Sequence, residues 1–336
     1  MQSARRARSK KPSSPLLEEL EGRLLLDGLP SFVALGAING GQVTLVNSHT
    51  GATIIAFNPY PLSYKGGVSV ALGDVDGDHE PEIITGPTTP GTVPLVRVFT
   101  TSGTMVQQFM AFDPAFLGGI NVASADFTED GRADIAVGAG AGGGPHVRVF
   151  NGDTNFIVRS FYAFPTVFHG GVNIAVGDVD NDGVADIICT PKIGGGPIVQ
   201  VYSGTTSLPI LRTFVLDRHG FSGGIRVAAG DINGDGHADI ITATGIGLAA
   251  TITILSGADG SLLSLYNPFG TTTGVSVASI DQDGDGKADV IVGVGRGLGR
   301  EITIFKGTDH SQIMQLNEPG TPYQGFNMAG YSALLT

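Results

Sequence analysis

The feature that most constrains this chain is a repeat. Five aspartate-rich segments, GDVDGDHEPEI (73–83), ADFTEDGRADI (125–135), GDVDNDGVADI (177–187), GDINGDGHADI (230–240) and IDQDGDGKADV (280–290), place their first aspartates 52, 52, 53 and 50 residues apart. Self-similarity at a fixed period of this length means that one supersecondary unit is copied along the chain. Each segment follows a period-two apolar stretch, such as GGVSVALG from Gly66 or GGVNIAVG from Gly170, and precedes a short apolar run such as IITG or IAVG. A third stretch (LVRVFT, HVRVFN, IVQVYS, TITILS, EITIFK) and a fourth that usually ends in aromatics, such as QQFMAF at 107–112, complete the unit. Alternation rich in Val and Ile reads as strand, and the Gly and Pro between the runs read as turns.

Four short antiparallel strands per period of about 52 residues are the pattern of propeller blades, which pack radially so that each sheet buries both faces. Whole units are predicted at 66–117, 118–169, 170–222, 223–272 and 273–324. Residues 32–60 match the last three strands of a unit, and 325–333 match a first strand alone. The predicted fold is therefore all-β, a six-bladed β-propeller over 31–336 whose sixth blade (31–65 plus 325–336) is closed by N- and C-terminal strands. Closure hides the strand edges that otherwise invite association.

Composition fits this reading and removes others. Gly is abundant, with 52 residues, but does not recur every third position, which excludes a collagen-like helix, and its density breaks coiled coils. Apolar residues make up 41% of the chain, enough for a core. The formal net charge of -12 argues against nucleic acid or an anionic membrane as partner. No apolar run is long enough to span a membrane, and the single cysteine, Cys189, makes no internal disulfide and reads as a buried strand residue. Gly138, Gly140 and Gly143 satisfy G-x-G-x-x-G, but Pro145 and a strand follow instead of a helix, so no dinucleotide site is expected. The seven histidines show no zinc spacing, and no G-x-S-x-G nucleophile motif occurs. The fourth-strand phenylalanines (Phe109, Phe112, Phe161, Phe164, Phe214, Phe269) are expected to pack between blades.

The acidic loops carry the chemistry. Taking the first Asp as position 1, side-chain oxygens fall at positions 1, 3, 5 and 9, and position 7 offers its carbonyl. A short loop surrounds a hard cation such as Ca²⁺ in this way, since the ion takes six to eight oxygens, and Gly at position 6 permits the sharp turn. The predicted ligand sets are Asp74, Asp76, Asp78, Glu80 and Glu82 in loop 1, and Asp126, Thr128, Asp130, Arg132 and Asp134 in loop 2. Loop 3 offers Asp178, Asp180, Asp182, Val184 and Asp186, loop 4 Asp231, Asn233, Asp235, His237 and Asp239, and loop 5 Asp281, Asp283, Asp285, Lys287 and Asp289. Glu80, Arg132, Val184, His237 and Lys287 enter through their carbonyls. Position 12, where an EF-hand needs a Glu, is Thr85, Val137, Cys189, Thr242 or Val292, so each loop belongs to a β-hairpin. Loops 3, 4 and 5 are expected to bind best. Loop 1 has His79 in place of the turn Gly, and loop 2 has a neutral hydroxyl at position 3. No metal is expected in the split blade, where Ser332 is taken to stand at position 1 and Asp27 and Gly28 at positions 5 and 6. Up to five Ca²⁺ ions follow. Of the 27 acids in 31–336, 18 sit at ligand positions.

These units resemble FG-GAP/VCBS repeats, the calcium-binding propeller family that includes the head of integrin α chains and many bacterial surface proteins. The resemblance covers about residues 31–336 and rests on D-x-D-G-D-G-x-x-D followed by an apolar run. It implies an extracellular setting, Ca²⁺ in the hairpin loops, and a role as an adhesion or ligand-binding platform for a protein or glycan. Departures are the six blades, where integrins have seven, and Gly-Gly or Thr-Gly where the family name expects Phe-Gly. Residues 1–30 differ from the rest: a basic start (Arg5, Arg6, Arg8, Lys10, Lys11) is followed by LLEELEGRLLL at 16–26. That stretch resembles the L-E-x-L-E-x-R-x-L-L motif near the N-terminus of many planctomycete extracytoplasmic proteins, and implies export or surface sorting. The function expected is non-enzymatic. The rivals are a calcium-dependent polysaccharide lyase, which needs a base and a cation converging on one face, and a structural surface-matrix subunit.

Overall fold

The computed structural model describes residues 31–214, 221–245, 249–270, 274–294, 301–317 and 326–332. Expectations for residues 1–30 lie outside the described residues. All regular elements among them are strands, and they form six four-stranded antiparallel sheets in a propeller ring. No helix among the described residues is long and apolar enough to cross a membrane.

Five blades are consecutive in sequence. Blade 1 holds β4 (Val68–Gly73), β5 (Glu82–Pro87), β6 (Leu95–Phe99) and β7 (Met105–Met110). Blade 2 holds β8 (Ile120–Ala125), β9 (Asp134–Ala139), β10 (His146–Phe150) and β11 (Ile157–Tyr162). Blade 3 holds β12 (Val172–Gly177), β13 (Asp186–Pro191), β14 (Ile198–Tyr202) and β15 (Pro209–Phe214). Blade 4 holds β16 (Ile225–Gly230), β17 (Asp239–Thr244), β18 (Ile252–Leu255) and β19 (Leu262–Tyr266). Blade 5 holds β20 (Val275–Ile280), β21 (Asp289–Val294), β22 (Glu301–Phe305) and β23 (Gln312–Asn317). The closing blade runs β24 (Phe326–Ser332), β1 (Ser31–Ala37), β2 (Val43–Asn47) and β3 (Thr53–Phe57) in that spatial order.

Burial follows strand position within the blade. Second strands such as β5, β9, β13 and β17 are buried at every residue, whereas every residue of the outer strand β7 is exposed or half-buried. The apolar face of one blade packs on the next: Ile84, Val96 and Val98 of blade 1 share a cluster with Ile120, Val122, Ile135 and Val137 of blade 2. Each such isoleucine or valine removed from water contributes about 1.5–3 kcal/mol. The fourth-strand aromatics cross the same seams, Phe109 against Phe150 at 4.7 Å and Phe161 against Tyr202 at 4.4 Å between ring centroids. Cys189 is fully buried in β13, and burial pushes its thiol well above the ordinary range.

The predicted closure holds. β24 pairs with β1 from Ser31 opposite Ser332 to Ala37 opposite Phe326. The register corrects one detail. In the other blades the residue opposite position 9 is the one before the first Asp, as with Gly73 opposite Glu82 and Gly177 opposite Asp186. Ser332 therefore takes that preceding place and Ser31 takes position 9. Position 1 of the split blade falls on Ala333, outside the described residues, as are Asp27 and Gly28. Ser48 Oγ bonds Ser31 Oγ at 2.8 Å, a neutral pair where the other blades keep a buried carboxylate.

Candidate metal loops

Each acidic loop joins the first strand of a blade to the second, and its carboxylates shape it as well as charge it. The position-1 Asp accepts backbone N–H groups across the turn: Asp178 Oδ1 takes Asp182 N–H at 3.0 Å and Oδ2 takes Gly183 N–H at 2.9 Å. The same pattern recurs at Asp74, Asp126, Asp231 and Asp281. Position 5 accepts the position-7 N–H, as Asp182 does from Val184 at 2.9 Å. Position 9 lies deepest. Glu82, Asp134, Asp186, Asp239 and Asp289 are all buried, and each accepts the position-2 N–H, from Val75, Phe127, Val179, Ile232 and Gln282 at 2.8 to 3.0 Å. The four aspartates among them also accept the N–H of a glycine past the third strand: Gly152, Gly204, Gly257 or Gly307, at 3.0 to 3.1 Å. Burial pushes Asp186, Asp239 and Asp289 up to about 6 and Glu82 up to about 7 despite these bonds. A buried carboxyl so raised favours a nearby cation.

Two positions in every loop have left-handed backbone. Position 6 is Gly in four loops, but His79 takes φ +69° in loop 1; position 4 has Glu129 at +57° and Asn181 at +58° where the other loops have Gly. The sequence signals the first position through Gly at position 6. The second is masked because its residue type varies. Neighbouring loops are also stitched together, since Ala133, Ala238 and Ala288 donate their N–H to the carbonyls of Asp74, Asp178 and Asp231 at 2.6 to 2.7 Å.

Three loops bring three carboxylates within 4.8 Å of one another: Asp74, Asp76 and Glu82; Asp178, Asp180 and Asp186; Asp281, Asp283 and Asp285. This all-oxygen donor chemistry fits a hard divalent cation. Thr128 in loop 2 and Asn233 in loop 4 leave position 3 uncharged, and the described residues form no three-acid group there. Carbonyl geometry at Glu80, Arg132, Val184, His237 and Lys287 enters only through the chain path. Some of their side chains reach the preceding blade instead: His237 Nδ1 lies 2.8 Å from Val179 O, and Lys287 Nζ donates to Asn233 O at 2.9 Å.

What separates the loops comes from elsewhere in the blade. The residue just after the third strand is Thr100, Asn151, Ser203, Ser256 or Lys306. Asn151 Nδ2 donates into loop 2, to Asp130 Oδ2 at 3.1 Å and Asp134 Oδ1 at 3.2 Å. Lys306 Nζ sits in loop 5, 2.6 Å from Asp283 Oδ2 and 3.0 Å from Asp285 Oδ2, and these bonds raise its pKa far above the ordinary lysine value. In loop 4 the Asn233 amide turns its own Nδ2 onto Asp235 Oδ2 at 2.8 Å. Among the described residues, loops 1 and 3 have no such amide or ammonium donor over their acidic triads, and in loop 1 the exposed His79 ring brings only Nδ1 to 3.7 Å from Asp74 Oδ2. Asn151 and Lys306 lie outside the nine-residue motif, 21 residues past the position-5 Asp130 and 23 residues past the position-3 Asp283 that they respectively touch, so the motif does not signal them.

Comparison with known proteins agrees with the repeat. Residues 126–189, spanning loops 2 and 3, match the FG-GAP-like repeat, and residues 223–250, spanning loop 4, match the FG-GAP repeat. These stretches are similar to FG-GAP repeats. Loops 1 and 5 lie outside the matched FG-GAP stretches but keep the same register and loop hydrogen bonds. No curated protein sequence matches the chain. Among solved structures, a protein of unknown function from Bacteroides caccae superposes with a TM-score of 0.59 at 13% identity, covering 90% of this chain and 98% of the other. U3-55K superposes with a TM-score of 0.51 at 12% identity, covering 87% and 83%. Rhamnogalacturonan lyase YesW aligns with a TM-score of 0.43 at 13% identity, over 87% of this chain and 64% of that one. At these identities the likeness concerns the fold alone.

Proposed function

We propose that this chain is a calcium-binding FG-GAP propeller that serves as an extracytoplasmic platform for a protein or glycan partner. The observation that carries the metal reading is the pair of triads, Asp74, Asp76, Glu82 and Asp178, Asp180, Asp186, whose carboxylates crowd within 4.8 Å with no lysine or arginine paired to them among the described residues. Like charges so close repel, and a bound dication converts that repulsion into a bridge between the first and second strands. Loops 1 and 3 are the strong sites in this reading. Loops 2 and 4 are weaker, and loop 5 takes an ion only when Lys306 moves aside. The platform role and the setting outside the cytoplasm rest on the resemblance of the repeats. In this reading the partner's place is a cavity of about 680 Å³ between the closing blade and blade 1, lined by Tyr60, Tyr64, Lys65, Thr89, Thr92 and Arg97 among others.

The lyase reading asks for a carboxylate and a cation facing each other in the central channel. The channel holds cations, Lys192 and Arg226, but its described lining contributes no carboxylate to meet them. This favours the non-enzymatic reading. The metal role is tested by melting the full chain in Ca²⁺ and in chelator. At free Ca²⁺ about 100 times Kd, each occupied site adds roughly 2.7 kcal/mol, and an unchanged melting temperature would remove metal binding from the proposal.

A further inference from the structure

The central channel is lined by the second residue of each first strand: Ser69, Asn121, Asn173, Arg226, Ser276 and Asn327. Five are short and neutral. The three asparagines lock the ring, each donating Nδ2 to a first-strand carbonyl of the next blade at 2.7 Å: Asn121 to Val172, Asn173 to Ile225, Asn327 to Val68. Arg226 breaks the pattern. It reaches across to donate NH1 to Asn327 Oδ1 at 3.3 Å.

A second departure lies in the adjacent blade. Thr88, Gly140, Lys192 and Gly245 hold one repeat position, since each donates its N–H to the carbonyl of Gly67, Gly119, Gly171 or Gly224 at 2.8 to 3.0 Å. Only here among these four is the residue charged, and Lys192 Nζ donates to Asn121 Oδ1 at 3.3 Å. Lys192 and Arg226 line one cavity of about 230 Å³, together with Thr88, Asn173 and the Gly223–Gly224 backbone. This cavity lies where first strands begin and second strands end, so it opens on the face opposite the acidic loops. No carboxylate lines it among the described residues.

Both cations are half-buried, and among the described residues each makes one long bond to a neutral amide oxygen and has donors to spare. Burial, and then the Arg226 charge, push Lys192 down to about 8; burial also lowers Arg226. Two like charges converging without a counter-charge are unfavourable. The fold does not require them, because the other five first strands carry Ser or Asn at the Arg226 position and blades 1, 2 and 4 carry Thr or Gly at the Lys192 position. We propose that this channel mouth is a binding site for an oxyanion, a carboxylate, sulfate or phosphate group held between Lys192 and Arg226. The guanidinium supplies a planar fork for two oxygens and the ammonium a point charge for the third or for the same pair. The cavity admits one acidic group and its immediate attachment, so the site reads the acidic tip of a ligand.

The experiment titrates the full chain calorimetrically with sodium sulfate, sodium phosphate and sodium acetate separately, in chelator and at constant ionic strength set by chloride. It does not depend on the metal reading, so either can fail alone. Saturable binding of at least one anion is expected, and the order of the three identifies the group. Lys192→Gly and Arg226→Ser install residues that other blades already carry at these positions, so both variants are expected to fold. Each should weaken binding at least tenfold, and the double variant should abolish it, whereas Arg159→Gln on the outer strand β11 should bind as the parent does. Without anion the double variant should melt no lower than the parent. Absence of saturable binding for all three anions, or equal binding by the double variant, overturns the site. A double variant that melts well below the parent also overturns it, because the pair would then be holding the ring together through Asn121 and Asn327.

Discussion

Loops 3 and 5 read almost alike, DVDNDGVAD and DQDGDGKAD, with an Asp at all four ligand positions. In space they differ. Loop 3 presents its triad with Ser203 following the third strand, whereas loop 5 receives the Lys306 ammonium onto Asp283 and Asp285. A metal motif thus specifies where carboxylates gather. Whether they need a metal is decided by a residue on another hairpin of the same blade.

The largest expected effect tests what the two loops share. Asp186→Ala strips the acceptor from the backbone N–H groups of Val179, Asp180 and Gly204, and Asp289→Ala from those of Gln282 and Gly307. Each should cost about 2–5 kcal/mol in chelator, measured by urea unfolding, since buried unpaired donors cost about 1–3 kcal/mol apiece. In Ca²⁺ the two should diverge, with the Asp186 variant losing more; an equal loss in both buffers would erase the distinction. Exchange of the residue after the third strand comes next. Lys306→Ala should add one site to the calorimetric Ca²⁺ stoichiometry and Ser203→Lys should remove one, and a stoichiometry indifferent to both would refute the role given to Lys306.

Acidity separates the states in another way. Burial holds Asp186 and Asp289 near 6 and Glu82 near 7, above the ordinary carboxylate value. A group raised on folding stabilises most below its unfolded pKa, and that contribution is lost as pH rises through the folded value. The metal-free ring should therefore lose stability between about pH 4 and 7 on account of these groups. Ca²⁺ favours the ionised form, so its stabilising increment should be larger at pH 8 than at pH 5, a difference read from melts at both. The smallest effect is local. His79→Gly relieves the left-handed residue of loop 1 and should gain roughly 0.5–1 kcal/mol, against the added freedom of the unfolded chain.

The fold was legible because blades repeat. Period-two runs and the 52-residue spacing gave six blades, and strand counting at the ends gave the closing pair. The off-by-one placement of Ser332 shows the limit: a first strand alone does not carry its own register, and the cross-strand pairing with Ser31 supplies it. The carboxylates were legible for the same reason as the blades. Asn151, Lys306, Lys192 and Arg226 were not, because each acts by differing from its counterparts in other units, and a pattern sought for agreement passes over such residues. Lys192 and Arg226 are 34 positions apart and meet only because adjacent blades face one channel.

The seam between β24 and β1 has a consequence for how the molecule is made. Ser31 Oγ donates to Tyr331 O across 300 residues of chain at 3.2 Å. At about 5–20 residues per second, a ribosome needs roughly 15–60 s between those two residues. For that interval the nascent ring is an open arc, with β1 exposing the edge that β24 will cover. Blades that bury their faces against neighbours already made can settle in order, but the ring becomes a ring only when its last strand arrives, and a partner strand reaching that edge earlier would take its place.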